Sequence, residues 1–148
     1  MPTKSWTKCI AVMALLLLVA SCGSGDSENK AQTPAERAAA LDIGPRAAET
    51  MKFDGNLAES GELLFDDKSC SDCHTMGEAD MAPDLVGVLD RRTEAWLTMQ
   101  IIKPDWMSQN DTITKGLIDE YDMVMVVEEI SDTEAEAILQ YLMREGRP

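Results

Sequence analysis

Five consecutive residues constrain this chain more than anything else in it: Cys70-Ser71-Asp72-Cys73-His74. Two thiols separated by two residues project from a single turn of backbone, and an imidazole follows at once. That layout suits attachment of a porphyrin, because two thiols so spaced reach two vinyl groups along one edge and form thioethers. The next residue then lies under the iron and offers it a nitrogen. C-x-x-C-H is the attachment signature for a c-type haem. A domain built on it must wrap one large, flat, apolar group, so one covalent haem c held by Cys70 and Cys73, with His74 on the metal, is the expectation.

Two rival uses of the cysteines are open to test. Structural zinc takes four ligands. Beyond Cys22 the chain has Cys70, Cys73 and one histidine, His74, beside them, so a fourth ligand would have to be a carboxylate. A dithiol redox motif follows a strand in an α/β pattern, and no such pattern precedes Cys70.

The remaining cysteines belong to export. Lys4 and Lys8 form a positive start, and residues 10–19 are an apolar run of about ten, the length of a signal-peptide core and short for a membrane span. Val19-Ala20-Ser21-Cys22 resembles a bacterial lipobox, in which the cysteine is lipid-modified after cleavage. Residues 1–21 are therefore expected to be a lipoprotein signal peptide, with Cys22 the lipidation site and Cys9 removed with the signal. No pair is then left for a disulfide. The expected location is a bacterial membrane held by that lipid, with the domain in the periplasm or on the outer face of the cell.

The chain is acidic. Without Lys4 and Lys8 the balance is 11 basic against 27 acidic side chains, a net −16. Such a field excludes nucleic acid and anionic lipid as partners; it suits a protein with a basic docking patch or a saline habitat, and equally a solvated acidic surface that keeps the chain soluble. Residues 22–50 are polar, small and Ala-rich, with Pro34 and Pro45, and read as a flexible tether in which 35–41 could form a short helix. Residues 51–148 are the expected domain.

That domain reads as all-α. Leu57, Gly61, Leu64 and Phe65 form a helical stripe leading into the motif. Residues 93–103 form a second helix stopped by Pro104, and Asp111 caps a third. Ser131-Asp132-Thr133-Glu134 is a capping box opening a last helix with Ala135, Ile138, Leu139 and Leu142 on one face. Residues 123–127 are hydrophobic and read as a buried loop.

With these residues in view the domain resembles the class I mono-haem cytochromes c over essentially its whole length. Gly61-Glu62-Leu63-Leu64-Phe65 resembles that family's first helix, Ala82-Pro83-Asp84-Leu85-Val86-Gly87 its Pro-Asp-Leu-x-Gly segment, and 130–142 its C-terminal helix. The resemblance implies a cytochrome c fold, three to five helices around the haem. It implies that the Pro83 carbonyl accepts from His74, that Leu85 packs on the haem, and that Arg91, Arg92 or Trp96 binds a propionate. It also places the sixth ligand five residues ahead of Ile130, at Met125. The family commonly brackets that methionine with prolines; here Val124 and Val126 stand on either side, and Met123 is the alternative. With one histidine in the chain, bis-histidine ligation is excluded.

The function expected is one-electron transfer in a respiratory chain by a membrane-tethered, non-enzymatic carrier acting between redox proteins. The alternatives are a five-coordinate haem protein binding a gas or peroxide, which lacks a second histidine for acid–base work, and a non-catalytic lipoprotein scaffold.

Overall fold

The computed structural model describes residues 31–146. The expected signal peptide, Cys22 and the first part of the tether lie outside the described residues. Eight α-helices and one 3₁₀ turn make up the regular structure of that span, with no strand among the described residues. The helices are α1 (Pro34–Leu41), α2 (Ala47–Thr50), α3 (Gly55–Asp67), α4 (Val88–Arg91), α5 (Glu94–Ile102), α6 (Pro104–Asn110), α7 (Thr112–Tyr121) and α8 (Asp132–Glu145). The all-α expectation is met. The count exceeds three to five because α2, α4 and α6 are turns of four to seven residues that carry no periodic stripe of their own.

The helix starts follow local chemistry. Asp54, Thr93, Asp111 and Ser131 cap α3, α5, α7 and α8, each side chain accepting from a backbone N–H of the first turn. Pro104 ends α5 and, with its fixed φ and missing N–H, opens α6.

The organising contact is the crossing of α3 and α8. A side chain on Gly61 would put its Cβ 1.9 Å from the Ala137 carbonyl oxygen, so only glycine allows the backbones this close. One turn on, the Phe65 and Tyr141 rings meet with centroids 5.1 Å apart, and Glu62 pairs with Arg144 at 2.8 Å. Gln140 is 4 % exposed on α8, donates to the Lys52 carbonyl (3.0 Å) and accepts from Asp54 N (2.9 Å), tying the entrance of α3 to the same helix. The core above this crossing gathers Phe65, Leu89, Trp96, Leu97, Ile138, Leu139 and Leu142.

Residues 34–50 correct the expected tether. Ala38 of α1 and Ala47 of α2 are fully buried. Asp42 between them accepts from Arg46 (3.0 Å), Arg92 (3.2 Å) and the Thr93 N–H (3.0 Å), and Ala47 N donates to the Arg92 carbonyl (2.9 Å). The folded unit therefore starts well before residue 51. Its small, polar composition resembles a linker because alanine is the side chain that lets α1 lie close on α5 and α6, and α2 on α4.

Candidate functional site

Lys68 closes α3, and Ser69 then takes a left-handed conformation (φ 59°) that ends the helix one residue before the motif. The 3₁₀ turn Cys70–Asp72 follows. Cys73 N and His74 N both donate to the Cys70 carbonyl, at 3.3 and 3.0 Å, so a single turn holds both thiols and launches the imidazole. Burial pushes the Cys70 thiol above its ordinary range, with Asp66 and Cys73 adding to the effect. A reactive dithiol depends on the opposite shift. Among the described residues no three His, Cys, Asp or Glu side chains come close enough to hold a metal ion by themselves. The zinc reading finds no third ligand beside the pair, and helix α3 leads into the motif where a dithiol reading would need a strand.

His74 Nδ1 lies 3.1 Å from the Pro83 carbonyl oxygen. The carbonyl can only accept, so Nδ1 carries the hydrogen and Nε2 keeps the lone pair a metal needs. Burial holds the imidazole below its usual pKa, against the weaker opposite pull of the Pro83 bond, so it is neutral near pH 7. The loop that positions Pro83 is braced from both sides. The Asp84 carboxylate accepts from Gly77 N (2.8 Å) and Val86 N (2.9 Å), which holds its pKa below the usual carboxylate value. Arg91 donates to the carbonyls of Val86 (2.8 Å) and Asp84 (2.9 Å). Gly87, in the left-handed region (φ 68°), turns the chain into α4.

Cys70, Cys73, His74, Pro83 and Leu85 line one mostly apolar cleft together with Trp96, Leu97, Gln100, Leu117, Met123 and Met125. Both candidate methionines thus face the cavity that holds the motif. They differ in setting. Met125 is half-buried and its Sδ accepts from Gln100 Nε2 at 3.6 Å, whereas Met123 is 39 % exposed. The surrounding segment is a loop, as expected, but not a buried one: Val124 is 44 % and Val126 80 % exposed. Within it Met125 and Val127 are half-buried between exposed neighbours.

The three residues expected near a propionate separate clearly. Arg91 is engaged by the loop carbonyls. Arg92 pairs with Asp42 and stacks 5.2 Å from the Trp96 ring centroid. Trp96 is 3 % exposed, and its Nε1–H is buried with no hydrogen-bond partner. A buried donor left unpaired is costly, and its position on the cleft wall suits an anionic oxygen brought by a cofactor. Two thiols on one turn, a neutral imidazole, a thioether and this unanswered N–H fit a haem well.

Gln100 and Thr114 belong to the site and were not anticipated. The signal for Gln100 was a polar residue four positions after Trp96, on the face of α5 that otherwise carries Leu97 and Ile101.

The family model for cytochrome c matches residues 58–144. Among solved structures, cytochrome c from Rhodothermus marinus is 31 % identical, with 77 % of this chain and 97 % of that one covered and a TM-score of 0.64. An engineered form of that protein, Rma TDE, is 30 % identical over 77 % of this chain and 98 % of its own, with a TM-score of 0.63. The cytochrome c domain of a Pseudomonas putida protein is 32 % identical, covering 58 % of this chain and 87 % of that one, with a TM-score of 0.51. No curated protein sequence matches. The match spans the motif, the Pro83 loop and the α3–α8 crossing alike, and the chain belongs to the cytochrome c family, whose members bind haem c through a cysteine pair, here Cys70 and Cys73, and transfer electrons with it.

Proposed function

We propose that this chain is a lipid-anchored, non-enzymatic one-electron carrier of a bacterial respiratory chain, with His74 and Met125 as the two axial ligands. The observation that carries this reading is the shared cleft: the only histidine and a half-buried methionine face one apolar cavity beside the cysteine pair. Bound there, haem c supplies an Fe(III)/Fe(II) couple. The Pro83 bond holds the imidazole in the tautomer that offers Nε2. Met125 contributes a soft thioether, which favours the reduced metal. With His74 and Met125 both held by the metal, the bound haem would offer no open position to a substrate, which is what would separate a carrier from an enzyme. Leu85, Leu97 and Leu117 give the cleft an apolar wall.

Access for a partner is supported by the exposed apolar rim of Met81, Met123, Val124 and Val126. Acidic residues such as Asp72, Glu128 and Glu129 are also exposed, and this combination suits a redox protein with an apolar contact ringed by basic side chains. A lipid on Cys22 would keep the domain in the periplasm or on the outer cell face near such partners and raise their effective concentration.

The optical spectrum of the oxidised protein tests the ligand assignment. A weak far-red band from an iron–thioether bond is expected, lost in Met125→Ala and kept in Met123→Ala. A high-spin resting spectrum that shifts readily with cyanide would sink the carrier reading. For the anchor, Cys22→Ala is expected to move the protein from the membrane to the soluble fraction; continued membrane binding would refute lipidation at that residue.

A further inference from the structure

The geometry points to Gln100 as a positioning residue that sets the redox potential by donating to the Met125 sulfur, itself held in orientation by Thr114. This rests on Met125 being the sulfur ligand. Gln100 Nε2 is 3.6 Å from Met125 Sδ, and Gln100 Oε1 accepts from the Thr114 hydroxyl at 2.7 Å. Thr114 is 5 % exposed and sits in the first turn of α7, where its N–H donates to the N-cap carboxylate of Asp111 at 2.8 Å. Asp111 is 1 % exposed, so the arrangement is anchored in the core and spans α5, α7 and the ligand loop.

The chain of bonds fixes which end of the amide meets the sulfur. Thr114 Oγ1 has one hydrogen and two acceptors within reach, Gln100 Oε1 at 2.7 Å and Asp111 Oδ1 at 3.0 Å. Asp111 Oδ1 already receives the Thr114 N–H, and the shorter contact is to Gln100. With Oε1 facing the hydroxyl, the NH₂ end must face Met125. An N–H on a thioether draws electron density from the sulfur, weakens its donation to Fe(III), and so favours Fe(II). The positive end of the amide dipole acts in the same direction. It also supplies a restraint on the sulfur in a segment where Val124 and Val126, without the fixed φ of proline, flank the methionine.

Gln100→Leu removes the donor at similar volume. At fixed poise the Fe(III)/Fe(II) ratio is expected to rise about threefold, the scale of one modest hydrogen bond, which is about 28 mV downward for a one-electron couple. Replacing an amide by a hydrocarbon without any sulfur contact favours the less charged Fe(II), so it would move the potential up. Thr114→Val is expected to give a smaller fall by releasing Gln100, and Thr114→Ser to restore the parent value. That pair reads the same sign should Gln100→Leu fail to load haem. The far-red band of the variants should remain but shift in energy. A potential that is unchanged or rises in Gln100→Leu, or in Thr114→Val, overturns the role of Gln100 while the ligand assignment stands, provided Met125→Ala abolishes the band. A band that survives Met125→Ala overturns the ligand assignment itself.

Discussion

Trp96 has two jobs that pull on different atoms. Its ring is core, 3 % exposed among Leu97, Ile138 and Leu142, while its Nε1–H is buried without a partner. Packing alone would be served by phenylalanine. In the haem-loaded protein, Trp96→Phe is expected to lower stability by about 2 kcal/mol, the value of a hydrogen bond to a charged group. The check is the denaturant midpoint with an unchanged slope; a loss under about 0.5 kcal/mol would show that the N–H meets no propionate. At this scale the sequence exposes what is chemically rare. Cys70, Cys73 and a lone histidine declare themselves by type and spacing, and Pro83 follows from the pattern around it. Gln100 stays hidden because its meaning depends on α7 bringing Thr114 alongside, 14 residues away. No local rule encodes that approach.

Helices were legible where their ends carry chemistry. The capping box of α8 is formed as the sequence suggests: Ser131 Oγ accepts from Glu134 N (3.3 Å), and the Glu134 carboxylate accepts from Ser131 N (2.8 Å) and Ser131 Oγ (2.7 Å). The same box opens α1 with Thr33 and Glu36. Both glutamates consequently have carboxyls below their ordinary value of 4.5, mainly through the backbone N–H of the cap residue, with Lys68 adding to the effect at Glu134. A folded-state pKa below the unfolded one means the charged form stabilises the fold, fully so above 4.5, with that contribution lost as pH falls through the lower folded value. Acid unfolding is therefore expected to begin below about pH 4.5, and Glu134→Gln to lower stability at pH 7, to flatten the dependence of stability on pH in that window, and to converge with the parent at lower pH. An equally steep acid limb in the variant would remove Glu134 from the account. The short helices α2 and α4 have no Ser, Thr, Asp or Asn at the N-cap; α2 keeps only the Glu49 carboxylate reaching back to Arg46 N (2.9 Å), so the sequence pattern passes over them.

On the scale of the whole molecule, the domain boundary is the feature that sequence composition misplaces and structure corrects. Residues 34–50 resemble a tether locally, but their contacts are distant in sequence: Asp42 meets Arg92 and Thr93 fifty residues on. Those contacts bear on the site, because Arg92 lies over the Trp96 ring and Thr93 caps α5, the helix that carries both Trp96 and Gln100. Removing α1 and α2 would expose apolar surface now covered by Ala38, Leu41 and Ala47, and would leave Arg92 and the Thr93 N–H without Asp42. Two buried alanines, a partly buried leucine and a part-buried ion-pair hub together are worth about 3 kcal/mol, a large share of the stability of a small domain. A haem-loaded chain starting at residue 51 is therefore expected to unfold at a clearly lower guanidinium concentration than one starting at residue 31, by about that free energy. Its far-red band should also weaken, since α5 would lose the anchor that aims Gln100 at Met125. A chain starting at 51 that matches the longer one in both stability and spectrum would restore the tether boundary at residue 50. If stability falls while the band is unchanged, α1 and α2 support the fold without reaching the ligand side of the cleft.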